Sequence, residues 1–134
     1  MVEKKIIIYD TFWNIKDTRE NPNYLFVFGD NDIKKGKKGQ AVIRDEPNAL
    51  GIPTKKFPSF NISSFYYDSE FEDNKKKIDL AINNIIKNFM KKKYTRLVIP
   101  SNGFGTGLSK LNIKAPKTFK YLESKINAIK ILFS

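Results

Sequence analysis

The run Arg96-Leu97-Val98-Ile99-Pro100-Ser101-Asn102-Gly103-Phe104-Gly105-Thr106-Gly107-Leu108 decides how the chain is read. Residues 97–100 form an apolar stretch of the kind that fills a buried strand. Proline ends it, and glycines follow at 103, 105 and 107. Residues 112–117 then read as the start of a helix, because Pro116 is tolerated only in a first turn. Strand, glycine loop and helix in that order let backbone N–H groups converge on a phosphate. Glycine removes the side chains that would block close approach, and the helix N-terminus adds a favourable dipole. The same glycines also fit a mobile surface loop, and their spacing alone does not choose between the two.

Working outward, residues 5–9 read as a first strand and 24–28 as a second, buried one, ended by Gly29-Asp30-Asn31-Asp32. The segment 17–23 is polar and reads as a loop. A lysine-rich loop, 34–39, leads to a possible short helix from Gln40, limited by Pro47. Extended structure resumes over 51–55, and 60–67 alternates weakly, as an exposed or edge strand does. Ile78, Ala81, Ile82, Ile85, Ile86, Phe89 and Met90 fall on one face of a helix spanning 72–91. A second amphipathic helix covers 114–125, with Phe119, Leu122 and Ile126 inward, and 128–133 reads as a terminal strand. Strands alternating with helices predict an α/β sheet containing parallel pairs, in one domain over 1–134.

Composition narrows the chemistry. The 134 residues include no cysteine and no histidine, which excludes disulfides, thiolate metal sites and imidazole catalysis. Neither a metal nor a cofactor is expected. The apolar part of residues 1–9 is too short for a signal peptide, and no apolar run reaches the length of a membrane span. An intracellular, cytoplasmic protein is therefore expected. The net charge of +11 favours polyanionic or phosphorylated partners. Only Arg19, Arg44 and Arg96 among the 25 basic residues are arginine. With Lys, Asn, Ile, Phe and Tyr abundant, A/T-rich codon usage explains part of that charge.

In an α/β sheet, ligands bind at the carboxyl ends of the strands. The loops leaving those ends here, 10–14, 29–40, 51–56 and 101–108, collect glycines, amides, carboxylates and lysines. The segment 98–108, followed by a helix with Ala115-Pro116, resembles the phosphate loop of the macrodomain family. Val27-Phe28-Gly29-Asp30-Asn31 with Gly36-Lys37-Lys38-Gly39-Gln40-Ala41 resembles that family's strand–Asn–glycine-loop block. Ile52-Pro53-Thr54-Lys55 is similar to the Pro-Thr-Lys segment of DarG-type macrodomains, which remove ADP-ribose from DNA. The resemblance covers roughly residues 24–126 and leaves 56–72 unmatched. It implies a three-layer, macrodomain-like mixed sheet flanked by helices, with ADP-ribose or a related nucleotide as ligand and ADP-ribosylated DNA as a candidate substrate. It implies catalytic roles for Lys55 and Asn31. It places the ligand against Asp10, Gly29, Asp30, Gly39, Gln40, Ser101, Asn102, Gly103, Phe104, Gly105, Thr106 and Gly107.

The residues support such a ligand on their own chemistry. Two phosphates and two riboses need backbone N–H donors, which Gly103, Gly105, Thr106 and Gly107 offer, and amides for hydroxyls, such as Asn31. Phe104 either stacks on ribose or base or tucks back as a loop anchor. Asp30 either acts as a general base or closes an Asx-turn. Three functions are compatible with these residues. One is a hydrolase releasing ADP-ribose from nucleic acid or protein. Another is a non-catalytic module sequestering an ADP-ribose-like or cyclic nucleotide signal, a role that would suit a phage or mobile-element factor. The third is a nucleic-acid-binding domain that uses the lysines.

Overall fold

The structure, a computed structural model, describes residues 3–134; Met1 and Val2, the start of the stretch weighed as a leader, lie outside the described residues. Four strands, β1 (Lys5–Tyr9), β2 (Tyr24–Asn31), β3 (Ala49–Lys55) and β4 (Arg96–Pro100), form one sheet in the order β1-β4-β2-β3. Every pairing is parallel, so the sheet is not the mixed one that was expected. Strands that are all parallel must be joined by crossovers over the faces, which buries both sides. β2 shows the consequence: Leu25, Phe26, Val27 and Phe28 are buried in succession.

The two faces are covered differently. α2 (Phe71–Phe89) and α4 (Pro116–Leu132) pack on one face through Ile78, Ile82, Ile85 and Phe89, and Leu122, Ile126 and Ile129. Trp13, Ala41 and Ile43 fill the other, against Phe26, Phe28 and Val98. From β1 to β3 the chain moves across the sheet one way, and from β3 to β4 it turns back. A uniform crossover hand then requires α2 to take the opposite face from the β2–β3 connection, as it does. No described helix is long and apolar enough to cross a membrane.

Four local expectations are corrected. The segment read as a loop over 17–23 begins inside α1 (Ile15–Glu20), closed by a capping box in which Asp17 N donates to Asn14 Oδ1 at 3.3 Å and Asn14 N to Asp17 Oδ2 at 2.8 Å. The 128–133 strand is the end of α4: Ile129 and Phe133 continue the helical spacing of Leu122 and Ile126. The 60–67 edge strand is replaced by short 3₁₀ turns, Ile62–Ser64 and Asp68–Glu70, with one antiparallel bridge between Lys55 and Phe65. Met90, expected on the inner face of α2, is exposed.

The unmatched 56–72 segment has a structural task. α4 starts at Pro116 without a side-chain cap from its own preceding residue. Asp68 supplies one from a distance, accepting from Lys117 N at 2.8 Å, Thr118 N at 2.9 Å and Thr118 Oγ1 at 2.9 Å. Partial burial would raise the Asp68 carboxyl, but these donors outweigh it and hold it below its ordinary value of 3.8. A depressed carboxylate contributes stability above the unfolded-state value and loses it as pH falls through the folded one. Asp68→Ala is expected to cost about 1–2 kcal/mol at neutral pH. In denaturant titrations the gap from wild type should close as pH drops from 3.8 through that lower value.

Candidate functional site: a cavity at the carboxyl edge of the sheet

All four strands end on one edge, and a cavity of about 830 Å³ opens there. Every strand contributes to it: Asp10 to Trp13 after β1, Gly29 to Asn31 at the end of β2 and Lys35 to Ala41 after it, Thr54 and Lys55 from β3, and Pro100 at the end of β4 with Ser101, Asn102 and Gly105 to Ser109 after it. The volume falls within the range of small-ligand pockets, about 300–1,000 Å³.

Gln40 ties the loops together. Its Oε1 accepts from Gly29 N at 2.8 Å, its Nε2 donates to Gly103 O at 3.0 Å, and its backbone oxygen accepts from Trp13 Nε1 at 3.0 Å. One residue thus links the loops after β1, β2 and β4. Its carboxamide is engaged at both ends by the protein, which makes it a brace of the site and not a free ligand group.

The β4 loop is shaped by its glycines in different ways. Gly105 has φ +87°, and a Cβ there would lie 2.7 Å from Leu111 Cβ, so the residue is fixed by packing onto α3 (Leu111–Lys114). At Gly107 no atom lies within 4 Å of an added Cβ. The backbone N–H groups of Gly105, Thr106 and Gly107 donate to no group among the described residues. They remain able to meet an anion. Phe104 is buried in the core cluster that includes Leu111, Ala115 and Leu122, and neither it nor Gly103 lines the cavity. Of the two readings of Phe104, the loop anchor is correct and stacking is not.

At the β2 end, a register shift between Asp30 and Asn31 sets Asn31 opposite Lys55. Such irregularities re-aim side chains at a strand's end. Asn31 closes the following turn, donating from Nδ2 to Lys35 O at 2.7 Å and accepting from Lys35 N at 3.4 Å. Asp30 is buried, accepts from Asn31 N at 2.7 Å, and forms an ion pair with Arg44. The carboxylate has room because residue 51 is glycine: a Cβ there would lie 2.7 Å from Asp30 Oδ2.

Lys55 departs furthest from surface behaviour. It is 7 % exposed, donates from Nζ to Ser59 O at 2.6 Å, and lies 4.6 Å from the Phe65 ring centre and 4.9 Å from that of Phe60. Burial lowers its ammonium below the usual lysine value, and the charge of Lys110 lowers it further. Cation–π contact with two rings offsets part of that desolvation. No carboxylate pairs with it among the described residues.

The outcome is a cationic cavity. Lys35, Lys37, Lys38, Arg44 and Lys55 line it against Asp10 and Asp30. Asp30 is taken up by Arg44, and Lys37 by Asp45 at 2.5 Å.

A family of unknown function, DUF7831, matches residues 8–125. The chain belongs to that family. No curated protein and no solved structure matches it. Within this DUF7831 chain, the sequence-assigned residues Asp10, Gly29, Asp30, Asn31, Gly39, Gln40, Lys55, Ser101, Asn102, Gly105, Thr106 and Gly107 all reach one cavity, while Gly103 and Phe104 do not. Arg44, Trp13 and Gly51 were missed. An arginine at 44 amid so many lysines was the available signal, since its planar fork presents several donors in a fixed geometry.

Gly51→Ala is expected to push the Asp30 carboxylate off its site and cost about 1–3 kcal/mol. Gly107→Ala, with open space around it, should stay within about 0.5 kcal/mol of wild type. Thermal denaturation of the pair checks the contrast, and equal stabilities would remove the role assigned to Gly51.

Proposed function

We propose that this chain is a macrodomain-like binder of ADP-ribose or of an ADP-ribosyl group. The observation that carries the reading is that residues 105–107, whose N–H groups have no acceptor among the described residues, line the same nucleotide-sized cavity as Lys35, Lys37, Lys38, Arg44 and Lys55. Backbone donors free of side chains suit a diphosphate, and the surplus of positive charge suits its anionic oxygens. Phe12 and Phe60, both exposed at the cavity, offer flat apolar surface to a base or ribose.

Two features favour an ADP-ribosyl group carried on nucleic acid. Lys35, Lys37 and Lys38 line the cavity together with the exposed ring of Phe60, a pairing of cations with an aromatic that suits a single strand. Lys55, buried without a carboxylate, offers positive charge to the bond between the sugar and its attachment point. In this reading Lys55 serves the release step, while Asn31 holds the turn that faces it.

Calorimetric titration with ADP-ribose should give saturable binding, weakened by about tenfold or more, ~1.4 kcal/mol, in Gly107→Glu, which adds a like charge to the phosphate path without a buried clash. ADP-ribose producing no heat would overturn the reading. Lys55→Ala should abolish release of ADP-ribose from modified single-stranded DNA while retaining measurable ADP-ribose affinity. A wild-type protein that binds but never releases would make this a sequestering module.

A further inference from the structure

Arg44, which lines the cavity, is held there by several partners. Its Nε donates to Gly36 O at 2.9 Å and its Nη2 to Lys35 O at 3.1 Å, while Nη1 faces Asp30 as an ion pair. Lys35 O also accepts from Asn31 Nδ2 at 2.7 Å. The guanidinium carbon lies 5.5 Å from the Phe28 ring centre, and the side chain is 11 % exposed. The fork therefore grips two backbone carbonyls of the lysine loop and is itself held from beneath by a buried carboxylate.

That loop needs holding. Residues 34–38 contain four lysines, and Lys34 and Gly36 sit at φ +55° and +89°. Four ammonium groups on five residues repel one another, and only Lys37 has a carboxylate partner among the described residues. Asp30, which would otherwise neutralise a loop lysine, is occupied by Arg44. Lys35 and Lys38 are left at the cavity with their charge unspent.

We propose that Arg44 is a positioning residue: braced by Asp30, it clamps the lysine loop so that Lys35 and Lys38 are held ready for the anionic groups of the ligand. This rests on the reading of the cavity as a site for a phosphate-bearing ligand. It turns Asp30 from a general base into the foot of a clamp. Gly51 becomes part of the same device, because it makes the space in which that foot stands.

The test uses the full chain in four forms: wild type, Arg44→Gln, Arg44→Lys and Lys35→Ala/Lys38→Ala. Without ligand, trypsin should cut wild type slowly after residues 34–38. Both Arg44 variants should be cut there about tenfold faster, with cleavage elsewhere unchanged apart from the site at residue 44 itself, because cutting follows local opening. Lysine should not rescue, since a single ammonium cannot span two carbonyls and a carboxylate as the planar fork does. Pyrophosphate then serves as the anionic probe. Arg44→Gln should weaken its binding as much as removing both lysines does, and combining the changes should weaken it no further. Should the Arg44 variants fold poorly, Asp30→Asn removes the foot of the clamp while keeping its shape, and predicts the same cleavage pattern. Unchanged loop cleavage, or additive losses of pyrophosphate affinity, would overturn the proposal. Arg44-dependent pyrophosphate binding with no ADP-ribose binding would leave the clamp standing and remove the nucleotide reading.

Discussion

The rest of the structure depends on the parallel pairing of its four strands. Strands that run the same way end on the same edge, so the loops after Tyr9, Asn31, Lys55 and Pro100 are forced into one neighbourhood whatever their sequences. Insertion of β4 between β1 and β2 then sets the glycine loop between the other two. Ser101 N donates to Tyr9 O at 2.8 Å on one side, and Gln40 reaches Gly103 O on the other. Hydrophobic burial of both faces pins that arrangement, at about 1.5–3 kcal/mol for each fully buried large side chain such as Phe26, Leu97 or Ile99. The cavity is thus a consequence of topology, and the side chains around it decide its chemistry.

That chemistry is one of positive charge kept available. Asp10 and Asp30 are the carboxylates that line the cavity; Asp30 is committed to Arg44, and Asp32, just past β2, to Tyr66 and to Lys77 at 2.7 Å. The buried Tyr66 hydroxyl is pushed up, by burial first and then by its bond to Asp32, so it stays protonated and donates. Asp32 N in turn donates to Lys55 O at 3.0 Å, which fixes the backbone from which Lys55 projects. Lys55 is consequently held on both sides, by the sheet behind it and by Phe60 and Phe65 around its head. A lysine so confined has lost the mobility that lets most surface lysines meet any passing anion.

Much of this was legible in the sequence. The apolar runs at 24–28 and 97–100 and the glycines at 103–107 located two central strands and the loop between them and α4. The helical period of Ile78, Ile82, Ile85 and Phe89 fixed α2. The carboxyl-edge rule then brought twelve of the assigned residues to one cavity. What stayed hidden was long-range in origin. Phe104 lies in mid-loop by sequence, yet folds under it into the core, which is assembled from residues as distant as Leu25 and Ile129. Asp68 caps a helix 49 residues further on. Arg44 acts through backbone carbonyls, which carry no side-chain identity to read. The 128–133 run is apolar but for Lys130, as a short buried strand is, and only its continuity with Leu122 and Ile126 reveals the helix.

The central claim, that the cavity at the carboxyl edge of the sheet receives ADP-ribose through its two glycine loops, is tested most directly by mapping amide chemical shifts of the isotope-labelled protein as ADP-ribose is added. The account predicts saturable shifts concentrated at 101–109 and 29–40, with the N–H groups of Gly105, Thr106 and Gly107 among those that move furthest. Amides that stay in place throughout, or shifts confined to the α2 and α4 face of the sheet, would contradict it.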